Sequence, residues 1–233
     1  MRGPGTGEEQ ARRFFGRRKG HRLRRHHAEL IEQLLPRLTI NLAETAPPSF
    51  RRLFVEPVRE VRLEIGFGGG EYLIAEATRN PDVGFLGCEP FVNGMAKALA
   101  AIEAHSLRNI RVHLGDACPV LSWLPPASLA VIDLIYPDPW PKRRHWKRRF
   151  VQEDTIAAVG RALRPGGSFR FASDSSDYAA WTLLRFLRTP EFVWTAERAQ
   201  DWRTPWPDFI ETRYHRKAAR EGRAGTYLVF RHV

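Results

Sequence analysis

The feature that most constrains the fold is the segment Leu63-Glu64-Ile65-Gly66-Phe67-Gly68-Gly69-Gly70-Glu71, where a strand-like run enters a cluster of glycines and leaves as a helix. Glycine tolerates the left-handed backbone that a sharp strand-to-helix turn needs, and without a Cβ it lets the chain approach a ligand closely. A nicotinamide or flavin site would need glycine at the sixth position from Gly66, where Glu71 stands. A phosphate loop of the Walker type would need Gly-Lys-Ser/Thr, which does not follow. The turn points to an α/β fold but to neither of those nucleotide sites.

The rest of the chain keeps the same rhythm. Strand-like runs at Val61–Ile65, Val83–Cys88, Ile110–Leu114, Leu129–Tyr136 and Ser168–Ala172 alternate with helical runs over 70–78, Val92–Ala104, 150–163 and 177–187. This predicts a doubly wound, mostly parallel sheet of the α/β class. In the run from Val92, the residues Val92, Met95, Ala96, Leu99 and Ile102 fall three and four apart and make one apolar face for the sheet. Arg164-Pro165-Gly166-Gly167 reads as a sharp helix-to-strand turn, and Tyr227-Leu228-Val229-Phe230 as a final strand. Residues 1–25 read as a mobile basic arm, His27–Leu35 as a short helix ended by Pro36, and 26–233 as one domain.

With 233 residues, 43% hydrophobic and 27% charged, one soluble core is expected, and wholesale disorder or a fibrous architecture is excluded. The net charge of +11 suggests a polyanionic partner, nucleic acid before an anionic membrane. Its distribution sharpens this: residues 1–60 carry 13 basic and 7 acidic side chains, 61–141 carry 5 and 9, and 142–233 carry 19 and 10. An acidic middle between basic flanks suits a cationic small molecule held inside a polyanion-binding frame. Cys88 and Cys118 have no metal-ligand spacing, so neither a disulfide scaffold nor a metal is expected. No apolar run reaches membrane-spanning length and no apolar stretch follows the basic N-terminus, so the reading is a cytoplasmic protein, monomer or weak homodimer.

Three acids sit at the ends of successive strands: Glu64 before the glycines, Glu89 closing Gly84-Phe85-Leu86-Gly87-Cys88, and Asp116 after Leu114-Gly115. The glycine segment reads acid-x-Gly-x-Gly-x-Gly and resembles the first motif of the class I S-adenosylmethionine methyltransferases. On that resemblance Gly66 and Gly68 approach the cofactor, Glu89 accepts from both ribose hydroxyls, and Asp116 faces the adenine amino group. The fourth strand runs into Pro137-Asp138-Pro139-Trp140, where three nearby prolines hold the Asp138 and Trp140 side chains at low entropic cost. Lys142-Arg143-Arg144-His145-Trp146-Lys147-Arg148-Arg149 follows, and beside such a site a basic run with an aromatic reads as a nucleic-acid groove.

Taken together, these segments resemble the bacterial tRNA (guanine-N7-)-methyltransferases, over roughly residues 14 to 233. Phe15-Gly16-Arg17-Arg18, the glycine loop, Asp138 through Arg149, Ala172-Ser173-Asp174 and Thr212-Arg213-Tyr214 carry the likeness. The resemblance implies transfer of a methyl group to N7 of the variable-loop guanine, nucleotide 46. It implies that Glu64, Glu89, Asp116 and Asp138 contact the cofactor, with Asp138 catalytic. Lys142, Asp174, Thr212, Arg213, Tyr214 and His215 would hold the guanine, and Arg144, His145, Trp146, Lys147, Arg148 and Arg149 would bind RNA. Two positions depart from the family pattern: Trp146 replaces a smaller or polar residue, and His215 replaces the glutamate of a Thr-x-aromatic-Glu motif. Guanine N7 carries a lone pair and no hydrogen, so no nucleophile-base pair is needed, and both cysteines read as structural. An exocyclic-amino methyltransferase of RNA or DNA, and a non-catalytic RNA-binding protein on the same fold, remain as alternatives.

Overall fold

The computed structural model describes residues 16–47 and 49–233. At its centre lie seven strands: β1 (Glu60–Ile65), β2 (Val83–Cys88), β3 (Ile110–His113), β4 (Leu129–Ile135), β5 (Leu163–Ser173), β6 (Phe192–Trp194) and β7 (Thr226–His232). They form one sheet in the order β3-β2-β1-β4-β5-β7-β6. β1 to β5 run parallel, whereas β7 is antiparallel to β5 and to β6. The α-helices among the described residues are α1 (Arg25–Gln33), α2 (Leu35–Leu38), α3 (Glu71–Arg79), α4 (Val92–Ala104), α5 (Ala117–Trp123), α6 (Glu153–Ala162), α7 (Ser176–Phe186), α8 (Gln200–Arg203) and α9 (Arg213–Arg220). Parallel neighbours cannot be joined by a hairpin, so α3 to α6 supply the crossovers between successive strands of β1 to β5.

The chain winds outward from β1 to β3 and then returns to β4 on the other side of β1. Such a reversal opens a crevice at the carboxyl ends of the two central strands. Register aligns Ile65 with Cys88 on one side and Leu134 on the other, so Gly66, Glu89 and Ile135 leave the sheet at one level. The interior is apolar because both sheet faces are covered: all six residues of β2 are buried, and Met95, Ala96, Leu99 and Ile102 of α4 pack down as their spacing requires. At the far edge the rings of Phe169, Phe186 and Phe230 stack, the last pair with centroids 4.2 Å apart. Across β4 and β5 the guanidinium of Arg170 donates two hydrogen bonds of 2.7 and 2.8 Å to Asp133.

Local details differ from the sequence reading. Arg164–Gly167 does not precede β5 but bulges inside it, since Leu129 pairs with Leu163 and Val131 next pairs with Ser168; Gly166 takes the left-handed φ of 75° that this detour needs. Pro36 does not end the first helix but occupies the first turn of α2, where its missing N–H costs nothing. Residues 1–15 of the expected basic arm lie outside the described residues. The remainder crosses the start of α4: Val92 N donates to Arg18 O, Gly20 N to Asn93 Oδ1 at 2.7 Å, and Asn93 Nδ2 to His21 O at 2.8 Å. No helix among the described residues is long and apolar enough to cross a membrane.

Candidate active site

The spacing of the glycine motif has a direct backbone cause. Gly66, Gly68 and Gly70 have φ of 72°, 59° and 83°, all left-handed, whereas Gly69 between them does not. Every second residue is therefore one at which a side chain would be strained. Gly66 N donates to Cys88 O at 2.7 Å, tying the turn to the end of β2, and Gly70 caps α3. The loop also packs against α4, where Gly94 leaves room for the Gly68 carbonyl.

Five acidic side chains, Glu64, Glu71, Glu89, Asp116 and Asp138, meet around this loop. Glu89 accepts from Gly68 N at 2.6 Å and from Phe91 N at 2.8 Å, one bond on each oxygen, so its side chain is fixed between the loop and the start of α4. Burial raises its carboxyl above the usual range, and the two N–H bonds act against that rise. Glu64 is 6% exposed, and its Oε2 has no hydrogen-bond partner among the described residues. Burial pushes its carboxyl well up, and Asp133, Glu71 and Glu89 push the same way. Asp116 caps α5 by accepting from Cys118 N at 2.8 Å through Oδ1. Asp138 follows β4, held between Tyr136 and Trp140, which both take left-handed φ of 49° and 43° that non-glycine residues seldom adopt. Burial raises the Asp138 carboxyl too.

These groups line one cavity of about 400 Å³, walled also by Tyr136, Trp140, Arg148, Thr212, Arg213 and Tyr214 and, on the arm side, by Gly16 and Arg17. A cavity walled by several carboxylates, with an orphaned buried oxygen on Glu64, is built for a cation with hydroxyl and amino donors.

Comparison with known proteins agrees with this geometry. The family described as "Putative methyltransferase" matches residues 58–228. A protein of Nitrobacter hamburgensis named tRNA (guanine-N(7)-)-methyltransferase is 63% identical over 94% of this chain and 86% of its own length. One of the same name from Bradyrhizobium diazoefficiens is 59% identical over 96% and 95%. The chain belongs to this family. Among solved structures, the 16S rRNA methyltransferase KamB superposes with a TM-score of 0.55 at 16% identity, covering 81% of this chain and 94% of its own, which shows the shared Rossmann-like methyltransferase fold.

Within the family frame, the residues singled out from the sequence separate into two groups. The cavity brings together Glu64, Gly66, Gly68, Glu89, Asp116, Asp138, Arg148, Thr212, Arg213 and Tyr214. It does not include Lys142, Asp174 or His215. Asp174 instead accepts from Arg223 Nε at 2.7 Å, and Lys142 is exposed. His215 lies behind the wall, its Nδ1 at 3.1 Å from the hydroxyls of both Tyr136 and Tyr227, so this departure from the family's glutamate braces α9 against the ends of β4 and β7. Thr212, one of the expected guanine contacts, has its hydroxyl engaged as the N-cap of α9, accepting from His215 N. The arm residues Gly16 and Arg17 on the cavity wall were not read as cofactor neighbours, because nothing local in the sequence ties them to α4.

The basic run does not behave as one surface. Arg143–Arg148 forms a short 3-10 turn that leaves Arg143, Arg144 and Lys147 exposed. Arg148 turns over the Trp140 ring, 5.0 Å from its centroid, and the edge of His145 meets the same ring at 5.8 Å. Burial and the cations Arg148, Arg144 and Lys142 lower the His145 pKa, which favours its neutral form. Within the run Trp146 is half-buried and Arg149 fully buried. The Arg149 side chain is 0% exposed and has no surface to offer a phosphate, while Trp146 packs edge-on against Trp181 with centroids 5.2 Å apart.

Proposed function

We propose that this enzyme methylates N7 of a guanine in tRNA, the variable-loop guanine at nucleotide 46, with S-adenosylmethionine as donor. The observation that carries the reading is one cavity lined by Glu64, Glu89, Asp116 and Asp138 whose walls also bear Arg17, Arg148 and Arg213. A cationic cofactor suits these acids, and a polyanion suits the cations beside them. The names of the relatives point the same way.

The residues present fit the cofactor. Each Glu89 oxygen keeps a lone pair after its backbone bond, enough for two ribose hydroxyls, and the free oxygen of Glu64 would accept from a cationic amino group. Asp116 has Oδ2 to spare for an adenine amino group. S-adenosylmethionine supplies a methyl group on a positively charged sulfur. As the methyl moves, positive charge arises on the guanine ring, and Asp138, fixed at the end of β4, stabilises it there more than in the ground state. No proton leaves N7, so Asp138 acts by its charge and position rather than as a base. Trp140 and Tyr214 offer stacking faces for an unstacked base.

Incubation with methyl-labelled S-adenosylmethionine and unmodified bulk tRNA, followed by nucleoside analysis, tests the reading. Label should appear in 7-methylguanosine, and Asp138→Ala should lower kcat by about 10²-fold while changing the KM for tRNA little. Label on an exocyclic amino group, or in no tRNA nucleoside, overturns it.

A further inference from the structure

We propose that Arg149 is a positioning residue, which locks the Pro137–Trp140 turn onto α7 and so holds Asp138 at its working place, rather than a contact for RNA. The inference rests on the reading of Asp138 as the charge that faces the purine. Its basis is the enclosure of the guanidinium. Arg149 Nε donates at 2.9 Å to the carbonyl of Pro139, the residue after Asp138, and Nη2 pairs with the carboxylate of Asp177 in the first turn of α7. Three rings surround it, with centroids 4.9 Å away for Tyr178, 5.0 Å for Trp181 and 5.1 Å for Trp146. Two of those rings come from α7 as well, so one cation joins the turn after β4 to the helix after β5.

The chemistry explains why arginine stands here. A guanidinium is flat, donates in its plane and stacks through its faces, so it can bond Pro139 and Asp177 while aromatic rings lie against it. An ammonium has no faces and cannot reach both acceptors in that geometry. Burying a cation is costly unless its donors are met, and a residue used for phosphate contact gains nothing from such enclosure. The same box gives Trp146, one of the two positions read as departing from the family pattern, a role: its indole lies 5.1 Å from the guanidinium and packs on Trp181. The turn that Arg149 grips is also the strained one, with left-handed Tyr136 and Trp140 on either side of Asp138, and such backbone persists only where its surroundings hold it.

The test compares Arg149→Lys, Asp177→Ala and Lys147→Ala with wild type, measuring kcat and KM for tRNA, calorimetric S-adenosylmethionine binding and melting temperature. Asp177 is 54% exposed, so its removal loosens the clamp without emptying the box and keeps the test informative if Arg149 variants fold poorly. Both clamp variants should lose about tenfold or more in kcat with S-adenosylmethionine affinity and tRNA KM within about twofold, a displacement of the catalytic group rather than of binding. Lys147→Ala, on the exposed side of the same turn, should raise the KM with little change in kcat. Clamp variants that raise the KM at unchanged kcat would make Arg149 an RNA contact, and unchanged kinetics in both would remove the clamp; either overturns the proposal. Failure of the wild type to form 7-methylguanosine would strike the functional reading instead, a result these variants cannot mimic.

Discussion

Gly94→Ala probes whether α4 shapes the cofactor loop. A Cβ on Gly94 would stand 2.3 Å from the carbonyl oxygen of Gly68 and 3.0 Å from its carbon. Separations under 3.0 Å to a Cβ essentially do not occur, so the two backbones must part by 0.7 Å or more. Neither side yields easily. Gly68 is held through its N–H to Glu89 and has left-handed neighbours two residues to each side, while α4 is packed on the sheet by Met95 and Leu99. Overpacking of this kind costs about 1–3 kcal/mol. If the loop gives way, Gly68 and Glu89 are displaced together and S-adenosylmethionine binds about 5- to 150-fold more weakly, since about 1.4 kcal/mol is tenfold. Gly160→Ala is the matched control: its Cβ would be 3.4 Å from Phe192, ordinary contact, and alanine in a helix interior is favoured over glycine by about 0.5–1 kcal/mol. Calorimetric titration should show weakened binding for the first variant and unchanged binding with a raised melting temperature for the second. Wild-type affinity in Gly94→Ala would refute the coupling of α4 to the loop.

Two other outcomes follow from the charges. Burial and neighbouring acids raise the Glu64 carboxyl in the ligand-free protein, and a bound cation lowers it again, so S-adenosylmethionine binding should release protons and tighten as pH rises until the raised value is passed. For folding the sign is opposite: the neutral form suits the buried site, so the contribution of Glu64 to stability is full below its unfolded pKa and is lost as pH rises through the raised one, and Glu64→Gln should melt higher near neutrality and release fewer protons on binding, the remainder coming from Glu89 and Asp138. Equal proton release by Glu64→Gln and wild type, measured by calorimetry in two buffers of different ionisation enthalpy, would exclude Glu64 as the source. Separately, alanine at both Arg144 and Lys147, which are exposed, should weaken binding to all tRNAs and flatten the slope of log affinity against log salt by about 0.7–0.9 for each phosphate that the two cations neutralise in the wild type. A weakening confined to a few tRNAs would show that these side chains read sequence.

The parts of the fold that the sequence revealed are those fixed by short-range chemistry. Strand and helix periodicity placed β2 and α4 to the residue, because one is buried on both faces and the other on a single stripe. The glycine spacing was legible for the same reason, as each alternate glycine answers a backbone angle that no other residue accepts readily. The strand-end acids Glu64, Glu89 and Asp116 were legible because a parallel sheet delivers its strand ends to one edge. What escaped were elements held by partners distant in sequence. β6 has three residues and exists only by pairing with β7, and α9 is an eight-residue helix whose start is marked by Thr212 alone. The Arg164–Gly167 detour was read as a turn because proline and glycines signal a break equally well before a strand or inside one.

The basic run shows a different limit. Arg144, Lys147, Arg148 and Arg149 carry the same charge within six residues, yet the first two face solvent, the third covers Trp140, and the fourth is enclosed. Formal charge describes what a side chain is and says nothing of what surrounds it; enclosure depends on Tyr178 and Trp181, some thirty residues further along. A signal for it did exist. Trp146 is a large aromatic at one of the two positions that depart from the family pattern, and an indole beside arginines is as suited to covering a cation as to stacking a base. Asp177-Tyr178 and Trp181 then supply, within one turn of the helix after β5, a carboxylate and two rings that complete such a cover. Trp146 and the buried Arg149 pack against one another, and the substitution Trp146→Asn separates the two roles open to the indole. If Trp146 closes the box, the melting temperature and kcat fall together while the KM for tRNA holds; if it stacks on RNA, the KM rises and stability does not change.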